Sequence, residues 1–254
     1  MDIKKQYFEL VKEKVDYCYN NQAEKIKKVA RIFGECMDNG GVVQLYGFGH
    51  SEEFVNELNY RAGGIALFHA LRIKELVLRG LIKQEEVDSR SIFESDKAIG
   101  IFEEAYQLDD RDMIVIVCPC GKETLSIELA KKYKANGQKV VAVINKKTYD
   151  KVGGTLLEYA DEYLDMCGDE PDVALTIGDT KVGQLSSTVT NVMAQMLTAE
   201  VYNYFVESGK EAPVLLSANI KGADIHNNSL TDPYERRIRA WLMLKDLKMK
   251  FLHF

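Results

Sequence analysis

The chain predicts an α/β protein: a parallel sheet with helices packed on both faces. Three observations point there. Short, mostly apolar runs recur at 42–46, 113–117 and 139–144, the pattern of strands buried on both sides. Stretches with helical spacing of apolar residues lie between them. The resulting β-α-β-α alternation requires crossover connections, which parallel strands use.

In chain order, Ile3, Tyr7, Leu10, Val11 and Val15 define an amphipathic helix ending near Asn20-Asn21. Ile26, Val29, Ala30, Phe33 and Met37 define a second, stopped by Asp38-Asn39-Gly40-Gly41. Residues 1–40 are therefore expected to form a helical N-terminal extension. Residues 41–254 would form the αβα core with C-terminal helices, all in one domain over 1–254.

The strand Val42 to Tyr46 runs directly into Gly47-Phe48-Gly49-His50-Ser51. A helix with Phe54, Leu58 and Arg61-Ala62 follows, ended by Gly63-Gly64. Ile65 to Phe68 reads as a second strand, and Leu71 to Ser91 as short helical pieces around Arg79-Gly80. Ile92 to Tyr106 is helix-like, and Asp109 to Asp112 makes a polar turn before the strand Met113–Val117. Cys118-Pro119-Cys120-Gly121-Lys122-Glu123-Thr124 then leads to a helix from Leu125 to Lys134, stopped by Asn136-Gly137. After the strand at 139–144, Leu156 to Tyr159 opens another unit, with a short strand from Glu162 to Leu164.

Past Gly168 the pattern changes. A long helix carries Val189, Val192, Met193, Met196 and Leu197 on one face, with Ser186, Ser187 or Thr188 as its cap. Val201, Tyr204 and Phe205 widen its apolar surface, which predicts burial on more than one side and a subunit interface. Val214 to Ser217 leads into a polar segment through Asn228, and Tyr234, Ile238, Trp241 and Leu242 define a closing helix.

Composition narrows the classes of function. Net charge is −6, which argues against nucleic acid as main partner, and no separate basic DNA-reading domain is visible. No apolar run approaches the ~20 residues needed to span a bilayer, and the N-terminus has no signal-peptide core. The expectation is a cytoplasmic protein with no membrane partner. Five scattered cysteines fit reduced thiols better than disulfides. The C-x-C spacing of Cys118 and Cys120, with no second pair, is not that of a zinc site, so neither metal nor cofactor is expected.

A strand, a glycine loop with a hydroxyl at its end, and a helix together make an anion cradle. Gly47 and Gly49 let the backbone approach a ligand, Ser51 can cap the helix, and free N–H groups favour negative charge. His50 sits in that loop, available for a sugar hydroxyl or a proton transfer. Glu52 and Glu53 are ordinary helix starters. Glu57 stands i, i+4 from both Glu53 and Arg61; it is either a surface partner of Arg61 or, if buried near the loop, a base that Arg61 orients. Ser51, Ser187 and Thr188 are the leading ligand contacts, although capping alone explains each.

Several separated motifs in one order resemble the sugar isomerase (SIS) domain superfamily, in its bacterial branch of uncharacterised SIS-domain proteins. They are Gly47-x-Gly-His-Ser51 with Glu57 and Arg61-Ala-Gly-Gly64; Lys181-Val-Gly183 with Ser186-Ser-Thr188; and Ser217-Ala-Asn219 followed by Gly222-x-Asp224-x-His226-Asn227. The resemblance implies a flavodoxin-like αβα sandwich that binds phosphorylated sugars and usually dimerises. It brings Ser186, Asn219 and His226 into the candidate site. Its phosphate loop usually reads Ser-x-Ser-Gly-x-Ser/Thr, and the equivalent here is Cys118-Pro119-Cys120-Gly121-Lys122-Glu123, with Thr124 one position late. Two hydroxyls become thiols, which are weak donors, and a carboxylate takes the sixth position, where Lys122 is expected to offset it and Thr124 to replace part of the lost hydroxyl.

The expected function is binding of a phosphorylated sugar or related carbohydrate derivative by a homodimer or higher homo-oligomer. The reaction would be a phosphosugar isomerase-like proton transfer, with Glu57 as base and His50 or His226 as acid. The alternatives are a non-catalytic phosphosugar sensor, a lyase or etherase acting on an amino-sugar phosphate, and a binder of an unphosphorylated or differently charged sugar.

Overall fold

The computed structural model describes residues 2–238; the closing helix predicted through Trp241 and Leu242 runs beyond them. Five parallel strands form the sheet: β1 (Val43–Gly47), β2 (Phe68–Leu71), β3 (Met113–Val117), β4 (Val140–Ile144) and β5 (Glu162–Asp165). Their spatial order is β2-β1-β3-β4-β5. Every residue of β1, β3 and β4 is buried, as the unbroken apolar runs of β3 and β4 require; in β1 the polar Gln44 is buried with them. The second strand begins at Phe68 rather than Ile65, because Ile65 bridges Val214 and its neighbours pair with the chain after the long helix.

Two apolar layers cover the sheet. One face packs under α1 (Ile3–Asp38), α2 (Glu52–Leu58) and α8 (Ser186–Glu207). The other packs against α3 (Ile73–Leu78), α5 (Lys97–Tyr106) and α6 (Thr124–Ala135). Short helices α4 (Gln84–Asp88) and α7 (Lys146–Val152) lie in connections. A hairpin of β6 (Leu175–Ile177) and β7 (Thr180–Val182) precedes α8, and α9 (Ala223–Thr231) follows it.

The first predicted helix pair is a single helix of 36 residues. Asn20-Asn21 is an unfavourable pair for a helix interior. However, Cys18, Gln22, Ile26, Val29, Phe33 and Met37 continue one buried stripe straight through it, and that burial outweighs local propensity. The stripe belongs to the main core, so residues 3–38 are a layer of the sandwich. Gly34 marks the closest approach, since a Cβ there would fall 2.2 Å from the ring of Tyr204 on α8. Val201 and Phe205 are buried in the same layer. The wide apolar surface expected to meet a second subunit is therefore consumed within the protomer. Among the described residues no helix is long and apolar enough to cross a membrane.

The helices α1 and α8 run in the same direction. Tyr7 Oη donates to Gln184 O (2.6 Å) at their beginnings, and Lys210 pairs with Asp38 at their ends. Both start near the carboxyl ends of the strands and finish near the amino ends. The chain after α8 consequently lies on the amino side.

There, Asp112 is buried immediately before β3. It accepts hydrogen bonds from Val42 N (2.8 Å), Asp109 N (3.1 Å) and Gln44 Nε2 (3.2 Å) and forms an ion pair with buried Arg237. Arg237 also donates to Gly40 O (2.8 Å). Burial is the largest influence on Asp112 and pushes its carboxyl pKa up, against these partners. Removing one partner of a buried pair typically costs ~3–5 kcal/mol. Arg237→Ala should therefore lower the melting temperature by on the order of 10 °C near neutral pH. A carboxyl whose folded pKa is raised gains stability as pH falls. The deficit of the variant should narrow as pH approaches about 4, which thermal denaturation across pH checks.

Candidate functional site

Parallel pairing decides which loops meet. Gly47, the last residue of β1, lies beside Val117, the last of β3, so the loops after both strands emerge side by side. The β1 loop carries Gly49, His50 and Ser51 as a short 3-10 turn before α2. Gly49 adopts φ +63°, which favours glycine, while His50 is exposed and Ser51 buried. Ser51 makes no side-chain capping bond, contrary to its expected role. The helix it starts ends at Leu58, and Asn59 turns extended, so Arg61 to Gly64 form a turn outside it.

The β3 loop closes on itself. Gly121 N donates to Cys118 O (3.0 Å), a tight turn across Pro119 and Cys120. Gly121 has φ +61°, and a Cβ there would sit 2.4 Å from the Tyr149 ring, so only glycine fits. The sulfurs of Cys118 and Cys120 lie 4.0 Å apart. Cys120 is pushed towards the thiolate, first by the Cys118 thiol donating to it and then by the amides of Lys122, Cys120 and Glu123, against partial burial. Cys118 is pushed the opposite way by the same contact and by burial. The amides of this loop thus favour charge on its own sulfurs, Cys120 most.

Glu123 accepts from Ser126 Oγ (2.6 Å) and from Tyr46 Oη (3.4 Å), and burial raises its pKa. Lys122 points away, its Nζ donating to Val152 O (2.8 Å), so it does not offset the carboxylate. Arg90 does so in part, lowering the Glu123 pKa while lying against the rings of Phe48 and Phe93. Its place in an aperiodic stretch gave no sequence signal. Thr124 begins α6 and is exposed.

This rim continues across the sheet. Asn145 N, at the end of β4, donates to Pro119 O (3.1 Å). A Cβ on Gly168 would meet Asn145 Nδ2 at 2.6 Å and Ser186 Cβ at 3.6 Å. The loops bearing Gly49, Gly121 and Ser186–Thr188 therefore share the carboxyl rim of one sheet, where ligands of parallel α/β sheets bind.

The start of α8 is not capped by its own hydroxyls. Leu185 is the N-cap residue, and Asp172 from the preceding connection accepts from Leu185 N and Ser186 N (both 3.2 Å) and from Ser186 Oγ. Ser187 N donates to Gln184 Oε1 (3.1 Å). A carboxylate of the chain already sits on the amides expected to meet a ligand anion.

Glu57 faces α8 rather than the glycine loop. Its carboxylate pairs with Arg61 and accepts from Gln195 Nε2 (2.7 Å). Glu57, Ser187, Thr188, Asn191, Val192 and Gln195 line an open hollow of about 450 Å³ between α2 and α8. This joins Glu57 to two of the predicted hydroxyls.

His226 and Asn219 lie elsewhere. The Nε2–H of His226 donates to Val214 O (2.9 Å), and Val214 bridges Ile65 on the approach to the amino end of β2. Asn219 lies on the exposed loop before α9, where its backbone N donates to Ser217 Oγ (3.4 Å). Within one protomer both stand at the opposite end from His50, because the chain reverses only after α8 has crossed the sheet. Sequence order alone carries no signal of that reversal.

His69 is an additional buried group on β2. Its Nδ1 lies 2.8 Å from Gln44 Oε1, and burial, then Arg72 and Arg79, lower its pKa to about 3. It is a neutral core histidine beneath the rim. Among the described residues no cluster of three or more His, Cys, Asp or Glu side chains is arranged to hold a metal ion.

The family of proteins with a SIS domain matches residues 6–145. A UPF0309 protein of Caldanaerobacter subterraneus subsp. tengcongensis is 32% identical over 245 residues, covering 92% of this chain and 98% of that one. A UPF0309 protein of Halalkalibacterium halodurans is 31% identical over 222 residues, covering 84% and 90%. Among solved structures, a protein from Bacteroides fragilis provisionally assigned as a phosphosugar isomerase involved in capsule formation is similar with TM-score 0.53. That likeness is one of fold, at 14% identity over 78% of this chain and 88% of the other.

Asp172 tests the account of the α8 start. Asp172→Ala should cost ~1–2 kcal/mol, lowering the melting temperature by a few degrees. Asp172→Asn, which keeps an acceptor oxygen, should lose less in the same calorimetric scan.

Proposed function

The chain belongs to the SIS domain family, and on that premise we propose that it binds a phosphorylated sugar or related acidic carbohydrate derivative at the carboxyl rim of its sheet. The observation that carries this reading is the convergence of the loops at Gly49, Gly121 and Ser187 on one rim, through the β1–β3 register and the Asn145–Gly168–Ser186 contacts. The phosphosugar isomerase assignment of the Bacteroides fragilis structure is consistent with the ligand class.

The proposed reaction is a proton transfer beside a carbonyl, as in aldose–ketose isomerisation. Glu57 is the base, working from the hollow it shares with Ser187 and Thr188, and Arg61 and Gln195 hold its carboxylate in place. His50, exposed on the glycine loop, is the acid. His226 takes that role only if a second copy brings it to the rim, which makes a homodimer part of the reading. A cytoplasmic location suits the five free thiols.

A second reading is favoured by one observation. Cys120 and Glu123 occupy the β3 loop, and Asp172 accepts from the amides of the α8 start, so acidic groups of the chain already stand at both loops. This arrangement suits a sugar whose hydroxyls donate to Glu123, bound without a phosphate at that loop and with or without turnover.

Thermal shifts with matched sugars and sugar phosphates separate the two readings. A ligand at 100 times its Kd stabilises by ~2.7 kcal/mol, which raises the melting temperature measurably. Dependence on the phosphate supports the first reading, and preference for the neutral sugar supports the second. With a turned-over substrate in hand, Glu57→Ala should lower kcat by ~10²–10⁴-fold. Unchanged turnover would remove Glu57 as the base.

A further inference from the structure

The turn after β3 holds two sulfurs in a geometry that neither binding nor proton transfer requires. Pro119 and Cys120 occupy its centre, and Gly121 N closes it on Cys118 O (3.0 Å). The sulfurs of its first and third residues stand 4.0 Å apart. A disulfide needs about 2.05 Å, so the two side chains must rotate towards each other to close it. The turn itself is rigid, because the Tyr149 ring packs against Gly121 and Gly154 and leaves no room for a Cβ at either.

The two thiols are unequal. Cys120 is half-buried, lies 4.0 Å from the Cys118 sulfur, and sits just before the start of α6, whose dipole favours negative charge. Cys118 lies deeper, at 5% exposure, and holds its proton. The charged and titratable groups facing the pair are Glu123 and Tyr46, with Arg90 acting on Glu123.

The remaining cysteines are internal controls. Cys18 and Cys167 interact with each other but are 0% and 4% exposed in the core. Cys36 points its thiol at Arg111 O (3.4 Å), and burial raises its pKa to about 12.

We propose that Cys120 and Cys118 form a reactive dithiol site that hydrogen peroxide closes into an intrachain disulfide. The Cys120 thiolate attacks one peroxide oxygen and the O–O bond breaks. Hydroxide leaves, takes up a proton to become water, and sulfur is left as a sulfenic acid. The Cys118 thiol then attacks that sulfur, the S–S bond forms, and the S–O bond breaks. The Cys118 proton leaves with the departing oxygen as a second water. The thiol pair is oxidised by two electrons and the peroxide reduced by two. This site is independent of whether the rim binds a sugar.

The test uses the full chain, reduced and then exposed to stoichiometric hydrogen peroxide, with peptide mapping by mass spectrometry. The expected product is a peptide that has lost two hydrogens between Cys118 and Cys120 and regains them with dithiothreitol. At pH 6, iodoacetamide should modify Cys120 at least ~10-fold faster than Cys36, with a rate nearly flat towards pH 8. In Cys118→Ser the oxidation should stop at a sulfenic acid on Cys120, which dimedone traps. Failure of that variant to fold leaves the wild-type mapping to decide. Wild-type protein in which peroxide leaves both sulfurs untouched, drives Cys120 to sulfinic acid without a disulfide, or alkylates Cys120 no faster than Cys36 would overturn the proposal.

Discussion

The constraint on which the structure depends is the double burial of β1. It lies between β2 and β3, every residue is inaccessible, and both of its faces must be covered. Hydrocarbon supplies most of the cover: α1, α2 and α8 on one side, α3, α5 and α6 on the other. The polar Gln44 in that strand is tolerated only because Asp112 and His69 meet its amide. Fixing β1 in register with β3 also fixes the loops, since Gly47 and Val117 end together. Chemistry at the rim is therefore a consequence of packing below it.

The rim is built with the charge of the ligand class partly anticipated. Amides at the β3 loop turn to Cys120, and those at the α8 start to Asp172. Either group would have to yield or share if a phosphate were bound there, because a second anion on the same amides is repelled. A loop of hydroxyls has no such conflict. Replacing them with thiols and a carboxylate trades passive phosphate donors for groups with their own protonation and redox chemistry.

The relation between α1 and α8 explains why the two candidate histidines part company. Both helices descend from the rim to the amino ends of the strands, so everything after Glu207 begins on the far side. Val214 then pairs with Ile65, and Arg237 reaches Asp112 and Gly40. These contacts tie the last described segment to the base of the sheet. His226 accordingly secures a loop there, while His50 stays exposed above.

Sequence alone determined the three central strands and the order of loops and helices around them. Continuous apolar runs at Met113–Val117 and Val140–Ile144, and the mostly apolar run at Val43–Gly47, have no other stable home than a doubly covered sheet. It also marked Gly49, Cys118–Thr124 and Ser186–Thr188 as loop-to-helix junctions, because glycine and small polar residues punctuate such turns. Tertiary structure alone decided the rest. It carried α1 through Asn20-Asn21, used the wide face of α8 inside the protomer, turned Glu57 towards Gln195, and seated Asp172 on the α8 amides. Each of these depends on a partner distant in sequence, and periodicity and spacing report only on neighbours along the chain.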